Sequence, residues 1–161
     1  VLPDPEIFAL AKQLGERLRR SGHSLAVAES CTGGLLGAAV TDVPGSSAYF
    51  LGGVISYADR VKVDQLGVSE SVLRRHGAVS EEAAAAMANG VRQLLKADIG
   101  VSITGVAGPD AEGSKPAGLT FIGIAGDGVT TQRFQWTGDR WDNRRRSVIA
   151  ALELLVRAPE L

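Results

Sequence analysis

Apolar positions along the chain switch between helical and strand-like spacing, and the switches mark out the elements. Ile7, Leu10, Ala11, Leu14 and Leu18 recur at helical spacing. They follow Asp4-Pro5-Glu6, which reads as an N-cap, a proline at the first helical position and an acidic first turn, and Gly22 stops the helix. Leu25 to Ala28 is a short strand, and Thr32 to Val40 has the small, apolar texture of a buried helix ending before Pro44-Gly45. Tyr49 to Tyr57 contains a second strand, placed at Gly53 to Tyr57. Asp59 to Leu66 and Ser69 to Arg75 are short helices, followed by Gly67 and Gly77. Ser80-Glu81-Glu82 opens an Ala-rich helix reaching to about Lys96, with Ser80 as N-cap. Ile99 to Ile103 is a buried strand ending in Thr104-Gly105, and residues 105–118, with four glycines and two prolines, form a long loop. Leu119 to Ala125 and Val129 to Trp136 are strands joined by a hairpin at Gly126-Asp127-Gly128. Asp139 caps a last helix with Trp141, Val148, Leu152 and Leu155 directed inward.

Helices alternate with strands until the hairpin, which predicts an α/β fold with a mostly parallel mixed sheet including one antiparallel strand, as one domain over residues 1–161. In open sheets of this kind, ligands bind beyond the carboxyl ends of the strands. That rule selects Glu29 to Gly34, Tyr57 to Lys62 and Thr104 to Pro109.

Composition narrows the function classes. The 161 residues suit one domain, and a net charge of −1 lacks the basic excess of a nucleic-acid footprint. The longest apolar runs fall far short of the ~18 residues that span a membrane. A lone cysteine, Cys31, excludes an intrachain disulfide and a multi-cysteine zinc site. No charged n-region with an apolar stretch opens the chain, so no signal peptide is expected and a cytoplasmic location is the default.

The chemistry centres on Ala28-Glu29-Ser30-Cys31-Thr32-Gly33-Gly34, where a strand runs through a polar tight turn into a helix. Ser30 there stands near a helix N-terminus, whose unpaired N–H groups favour an oxyanion or phosphate; equally, Ser30 or Thr32 could be the N-cap. Cys31 is the rival nucleophile, or a small buried apolar residue. The segment matches neither a Gly-x-Ser-x-Gly elbow nor a Walker A loop. His23 beside a helix stop and His76 at a helix C-terminus both have structural readings, which disfavours a Ser-His-Asp triad and directs the search for a base to lysine. Only four lysines are present against 13 arginines. Lys12 and Lys96 read as solvent-facing, leaving Lys62, five residues after Tyr57, and Lys115 in the long loop. A lysine base needs burial or a nearby cation to lower its pKa from ~10.4 to about 7–8. The last helix opens with Arg140, Arg144, Arg145 and Arg146, a cluster that opposes the helix dipole unless it meets an anion such as phosphate or is paired on the surface.

Seven blocks in order, Ala-Glu-Ser-Cys-Thr-Gly-Gly (28–34), Pro-Gly-Ser-Ser (44–47), Ser-Tyr with Lys62 (56–62), Gly-Ala-Val-Ser (77–80), Thr-Gly-Val-Ala-Gly-Pro (104–109), Lys-Pro-Ala-Gly (115–118) and Gly-Asp-Arg (138–140), resemble the C-terminal domain of CinA proteins. The resemblance covers nearly the whole chain and extends to the stand-alone PncC-like members of that family. It implies a single amidohydrolase domain with a three-layer α/β/α fold. It further implies hydrolysis of the carboxamide of nicotinamide mononucleotide to nicotinate mononucleotide and ammonia, with no metal or other cofactor. The implied partner is a small phosphorylated pyridine nucleotide, bound by a homodimer. Ser30 matches the nucleophile, Tyr57 and Lys62 the residues that activate it, Thr104 (beside Gly105) a site-lining position, and Arg144 or a neighbour, Arg140 or Arg145, the substrate-binding arginine. Backbone N–H groups from Cys31 through Thr32, Gly33 and Gly34 are then the expected oxyanion donors. Two other readings stay open: a phosphate-ligand binding or regulatory module that retains the pocket without chemistry, and an amidohydrolase for a different amide.

Overall fold

A computed structural model describes residues 2–159; Val1, Glu160 and Leu161 of the predicted domain lie outside the described residues. Strand β1 (Leu25–Glu29) runs parallel to β2 (Phe50–Ile55) on one side and to β3 (Ile99–Gly105) on the other. Strand β4 (Leu119–Ala125) lies antiparallel to β3, and β5 (Val129–Gln135) antiparallel to β4, giving the order β2-β1-β3-β4-β5. Only β4 therefore runs against the other strands, as the hairpin predicts. Helices α1 (Pro5–Ser21), α2 (Leu35–Thr41) and α6 (Arg140–Arg157) cover one face. Helices α3 (Asp59–Leu66), α4 (Glu70–His76) and α5 (Glu81–Leu95) occupy the other side, with α5 packed directly on the sheet. The result is the three-layer α/β/α sandwich. Among the described residues, no helix is long and apolar enough to cross a membrane.

Strand β1 is buried along its whole length, so its two faces are distinguished by packing and not by polarity. Leu25 and Val27 join the core beneath α1, α2 and α6, whereas Ala26 and Ala28 face Met87 and Val91 of α5. Small residues bring α5 unusually close to the sheet. Ser102 Oγ donates to the Ala84 carbonyl at 2.6 Å, and a Cβ at Gly123 would stand 2.6 Å from the same oxygen. One at Gly100 would overlap the Ala88 carbonyl.

Three expectations shift. The second strand is Phe50–Ile55, beginning and ending earlier than predicted, because past Ile55 the Ser56 and Tyr57 carbonyls turn toward Lys62. Helix α2 begins at Leu35 and not Thr32, because Gly33 (φ 61°) and Gly34 (φ 106°) adopt left-handed backbone that no helix continues through. Trp141, expected inward, is 72% exposed. The inward row of α6 instead starts at Asn143, whose amide donates to Ala107 O and accepts from Gly138 N–H, and continues through Ser147, Val148, Ala151, Leu152 and Leu155.

Gly90 marks where α5 crosses the end of α3, because a Cβ there would overlap the Leu66 carbonyl. Gly90→Ala gains the ~1 kcal/mol of helix propensity that alanine holds over glycine, but overpacking against backbone costs about 1–3 kcal/mol or more. The urea unfolding midpoint is expected to fall; a midpoint equal to or above that of the parent protein would show that the α3–α5 contact yields freely.

Candidate active site

The turn that carries Ser30 is built around one buried carboxylate. Glu29, the last residue of β1, is 1% exposed and folds its side chain beneath the start of α2. Its Oε1 accepts from Thr32 Oγ1 (2.7 Å), Gly34 N–H (3.2 Å) and Leu36 N–H (2.9 Å), and its Oε2 from Gly37 N–H (2.9 Å). The carboxylate thus takes amides that a helix N-terminus leaves without partners, and its charge complements the dipole. Neither Ser30 nor Thr32 serves as the N-cap; Thr32 donates to Glu29. Ser30 is bound through its backbone alone on this side, donating its N–H to Ile103 O and accepting from Gly33 N–H, both at 3.0 Å. With Gly33 and Gly34 already engaged, Cys31 and Thr32 hold the turn amides that meet no backbone or carboxylate acceptor among the described residues.

Lys62 rises from α3 into this turn and is 1% exposed. Its Nζ lies 3.1 Å from Ser30 Oγ, 2.6 Å from Ser56 O and 3.3 Å from Tyr57 O. As an ammonium it donates to all three. As a neutral amine, it keeps two N–H donors for the carbonyls and turns its lone pair to the Ser30 hydroxyl. Burial drives the amine below the ordinary lysine value of 10.5, against the opposing pull of Asp59, Cys31 and Glu112, and no carboxylate bonds it directly among the described residues.

Cys31 lies beside this pair but is buried, and burial pushes its thiol up to about 12. A thiol so far above neutrality is a poor nucleophile, which separates it from Ser30.

The Ser30–Lys62 pair opens on a cavity of about 440 Å³, which Tyr57, Thr104, Gly105 and Arg140 also line. All three segments singled out by the strand-end rule meet there. Thr104 Oγ1 donates to Ala78 O (2.6 Å), tying β3 to the segment before α5. Tyr57 contributes in two places: its carbonyl bonds Lys62, whereas its 61%-exposed side chain presents a hydroxyl 3.3 Å from Arg140 Nη2. The phenol therefore faces the arginine and not the amine. Arg140 Nη1 also donates to Gly108 O at 2.6 Å.

The remaining arginines separate. Arg144 stacks on the Trp141 ring (5.2 Å) and donates to Cys31 O (3.1 Å) and Thr32 O (3.2 Å), clamping the Ser30 turn from outside. Arg145 lies away from the cavity, pairing with Asp4 (2.7 Å) and Glu6 (2.8 Å) of the α1 start. Its guanidinium holds the Asp4 carboxyl below the usual range. Arg146 pairs with Asp142. Lys115 lines a different cavity with His76 and Glu82, and Lys12 and Lys96 are exposed. The residue that pattern reasoning passed over is Glu29, whose signal is a carboxylate closing an otherwise apolar strand.

Such a sandwich, with a buried lysine on a serine at the strand ends, defines an α/β protein with a preformed serine–lysine pocket. The CinA C-terminal domain model matches residues 7–158, and the chain belongs to that family. A CinA-like protein of Frankia casuarinae is 52% identical over 145 residues, covering 89% of this chain and 33% of the relative. A CinA-like protein of Nostoc sp. is 48% identical over 162 residues, covering 92% and 38%. The chain thus spans about a third of the length of the curated relatives it matches. The crystal structure of competence/damage inducible protein CihA from Agrobacterium tumefaciens superposes with a TM-score of 0.93 at 34% identity, covering 97% of each chain. A CinA superfamily protein from Escherichia coli gives 0.91 at 33% identity, covering 97% of this chain and 92% of that one.

Two outcomes follow from this geometry. Iodoacetamide at neutral pH should leave Cys31 unmodified in the folded protein and alkylate it in urea; mass spectrometry showing rapid native labelling would contradict a buried, protonated thiol. Replacing Glu29 by alanine strands several donors and should cost roughly 3 kcal/mol or more in urea unfolding, since an unpaired buried donor costs about 1–3 kcal/mol.

Proposed function

We propose that the chain hydrolyses the carboxamide of nicotinamide mononucleotide, giving nicotinate mononucleotide and ammonia. The observation that carries this reading is the 3.1 Å contact between buried Lys62 Nζ and Ser30 Oγ at the wall of an open cavity. The depressed pKa of the amine supports its use as a general base. Neutral Lys62 takes the Ser30 proton as Oγ bonds the amide carbon. The Cys31 N–H, the amide that follows the nucleophile, meets no backbone or carboxylate acceptor among the described residues and is the donor we assign to the developing oxyanion; one such donor is typically worth about 2.7–4 kcal/mol. The Lys62 ammonium returns its proton to the amide nitrogen, the C–N bond breaks and ammonia leaves. Water, deprotonated by the same amine, then cleaves the acyl-serine, and the proton returns to Oγ.

Arg140 at the cavity wall, with the Tyr57 hydroxyl beside it, is the arginine placed to take the substrate phosphate. Anchoring the phosphate there fixes the distant amide against Ser30. Arg144 serves the same reaction by holding the turn.

Ammonia release from nicotinamide mononucleotide tests the reading. Ser30→Ala should abolish it and Cys31→Ala should leave it largely intact; full activity in Ser30→Ala would end the proposal. The active form needs the amine unprotonated, so activity should rise with pH to a midpoint below the ordinary lysine value of 10.5. Lys62→Arg, which stays charged, should lose roughly 10²–10⁴-fold at every pH. An unchanged pH profile in that variant would remove Lys62 as the base.

A further inference from the structure

Arg144 carries a charge that no carboxylate answers. Arg145 and Arg146 form ion pairs, whereas among the described residues Arg144 forms none and donates only to two backbone carbonyls. It also stands outside the lining of the Ser30 cavity. Its place is nonetheless fixed, because the guanidinium lies over the exposed Trp141 ring. A lone cation near the start of α2 opposes the helix dipole, and the bonds it makes run head to tail. Arg144 Nη2 donates to Thr32 O (3.2 Å), and the N–H of that same peptide group, Gly33 N–H, donates to Ser30 O (3.0 Å). The N–H of this second peptide group belongs to Cys31 and meets no backbone or carboxylate acceptor among the described residues. Both peptides are trans, so each N–H points away from its C=O. The two groups are therefore aligned, with the guanidinium at one end and the unpaired Cys31 N–H at the other. Arg144 Nε holds Cys31 O as well, at 3.1 Å, which fixes the far side of the same residue.

We infer that Arg144 is a positioning residue for the oxyanion, which aims and polarises the Cys31 N–H through two aligned peptide groups. The role rests on the amidase reading and adds to it a residue that does not touch the substrate. Hydrogen bonds in series polarise one another, and a full charge at the head of the series makes its first bond a strong one. A donor held in place before charge develops costs no reorganisation in the transition state. The Arg144 charge already registers at this residue: burial pushes the Cys31 thiol up, and Arg144 is among the groups that pull it back. Arg140, on the cavity wall, keeps the separate task of meeting the substrate.

Steady-state ammonia release from nicotinamide mononucleotide separates positioning from substrate binding. Arg144→Met removes the charge and both donors while keeping bulk; it should lower kcat roughly 10–100-fold and leave KM within about twofold. Arg144→Lys keeps the charge but not the fork that holds two carbonyls, so its kcat should fall between, and it carries the test if the methionine variant does not fold. A second measurement reads the donor itself. Cys31 is the only cysteine, so ¹⁵N-cysteine labelling gives a single backbone amide resonance. Pyridine-3-boronic acid, which adds to a serine Oγ as a tetrahedral anion, should move that proton downfield in the unsubstituted protein. In either variant the displacement should be less than half as large. A raised KM with kcat retained would make Arg144 a substrate contact. A displacement absent from the unsubstituted protein, or equal in all three, would show that the peptide groups transmit nothing to an oxyanion. Each of these overturns the inference and leaves the amidase reading standing. Absence of ammonia release from the unsubstituted protein defeats the amidase reading and the inference with it.

Discussion

The Glu29 carboxylate is the interaction on which the rest of the site depends. A buried charge is tolerable only when it is fully answered, and here four donors from Thr32 to Gly37 converge on it. Those bonds start α2, fix the left-handed steps at Gly33 and Gly34, and leave Ser30 at the strand end with its hydroxyl free of capping duty. Arg144 secures the same turn from the opposite side through two carbonyls. A guanidinium near a helix N-terminus opposes the dipole, and these two acceptors offset that cost.

Lys62 depends on this arrangement in turn. The Glu29 carbonyl receives both the N–H and the hydroxyl of Ser56, which holds the end of β2 against β1 where the Ser56 and Tyr57 carbonyls meet the amine. Neutral acceptors satisfy the N–H groups without supplying a counter-charge. A carboxylate in the same place would hold the proton; two carbonyls and a hydroxyl let burial depress the pKa. The same set of oxygens suits the amine before and after it loses a proton, so proton transfer requires no rebuilding of the shell. Close seating of α5 through Gly100, Ser102 and Gly123 supports the back of the sheet behind these strand ends.

Much of this was legible in the pattern of residues. Helical spacing, caps and glycine stops located most elements because they depend on neighbours within a few residues. The strand-end rule brought Ser30, Lys62 and Thr104 together, and all three line one cavity. Less legible were features that rest on contacts far apart in the chain. Trp141 has helical spacing suited to the core, yet α6 turns Asn143 inward at that end to bond Ala107 and Gly138. Arg140, Arg144 and Arg145 are equivalent as letters, but they reach Tyr57, the Cys31–Thr32 peptides and the α1 N-cap respectively.

The sequence by itself determined the α/β order, the single antiparallel strand and the short set of residues from which a nucleophile and base could be drawn. It did so because period, capping and turn chemistry are local. Only the tertiary structure decided between Lys62 and Lys115 as the amine beside Ser30, left Cys31 a buried thiol, and set Tyr57's carbonyl and hydroxyl to separate partners. Burial and hydrogen-bond geometry made those choices, and both arise where segments distant in sequence converge.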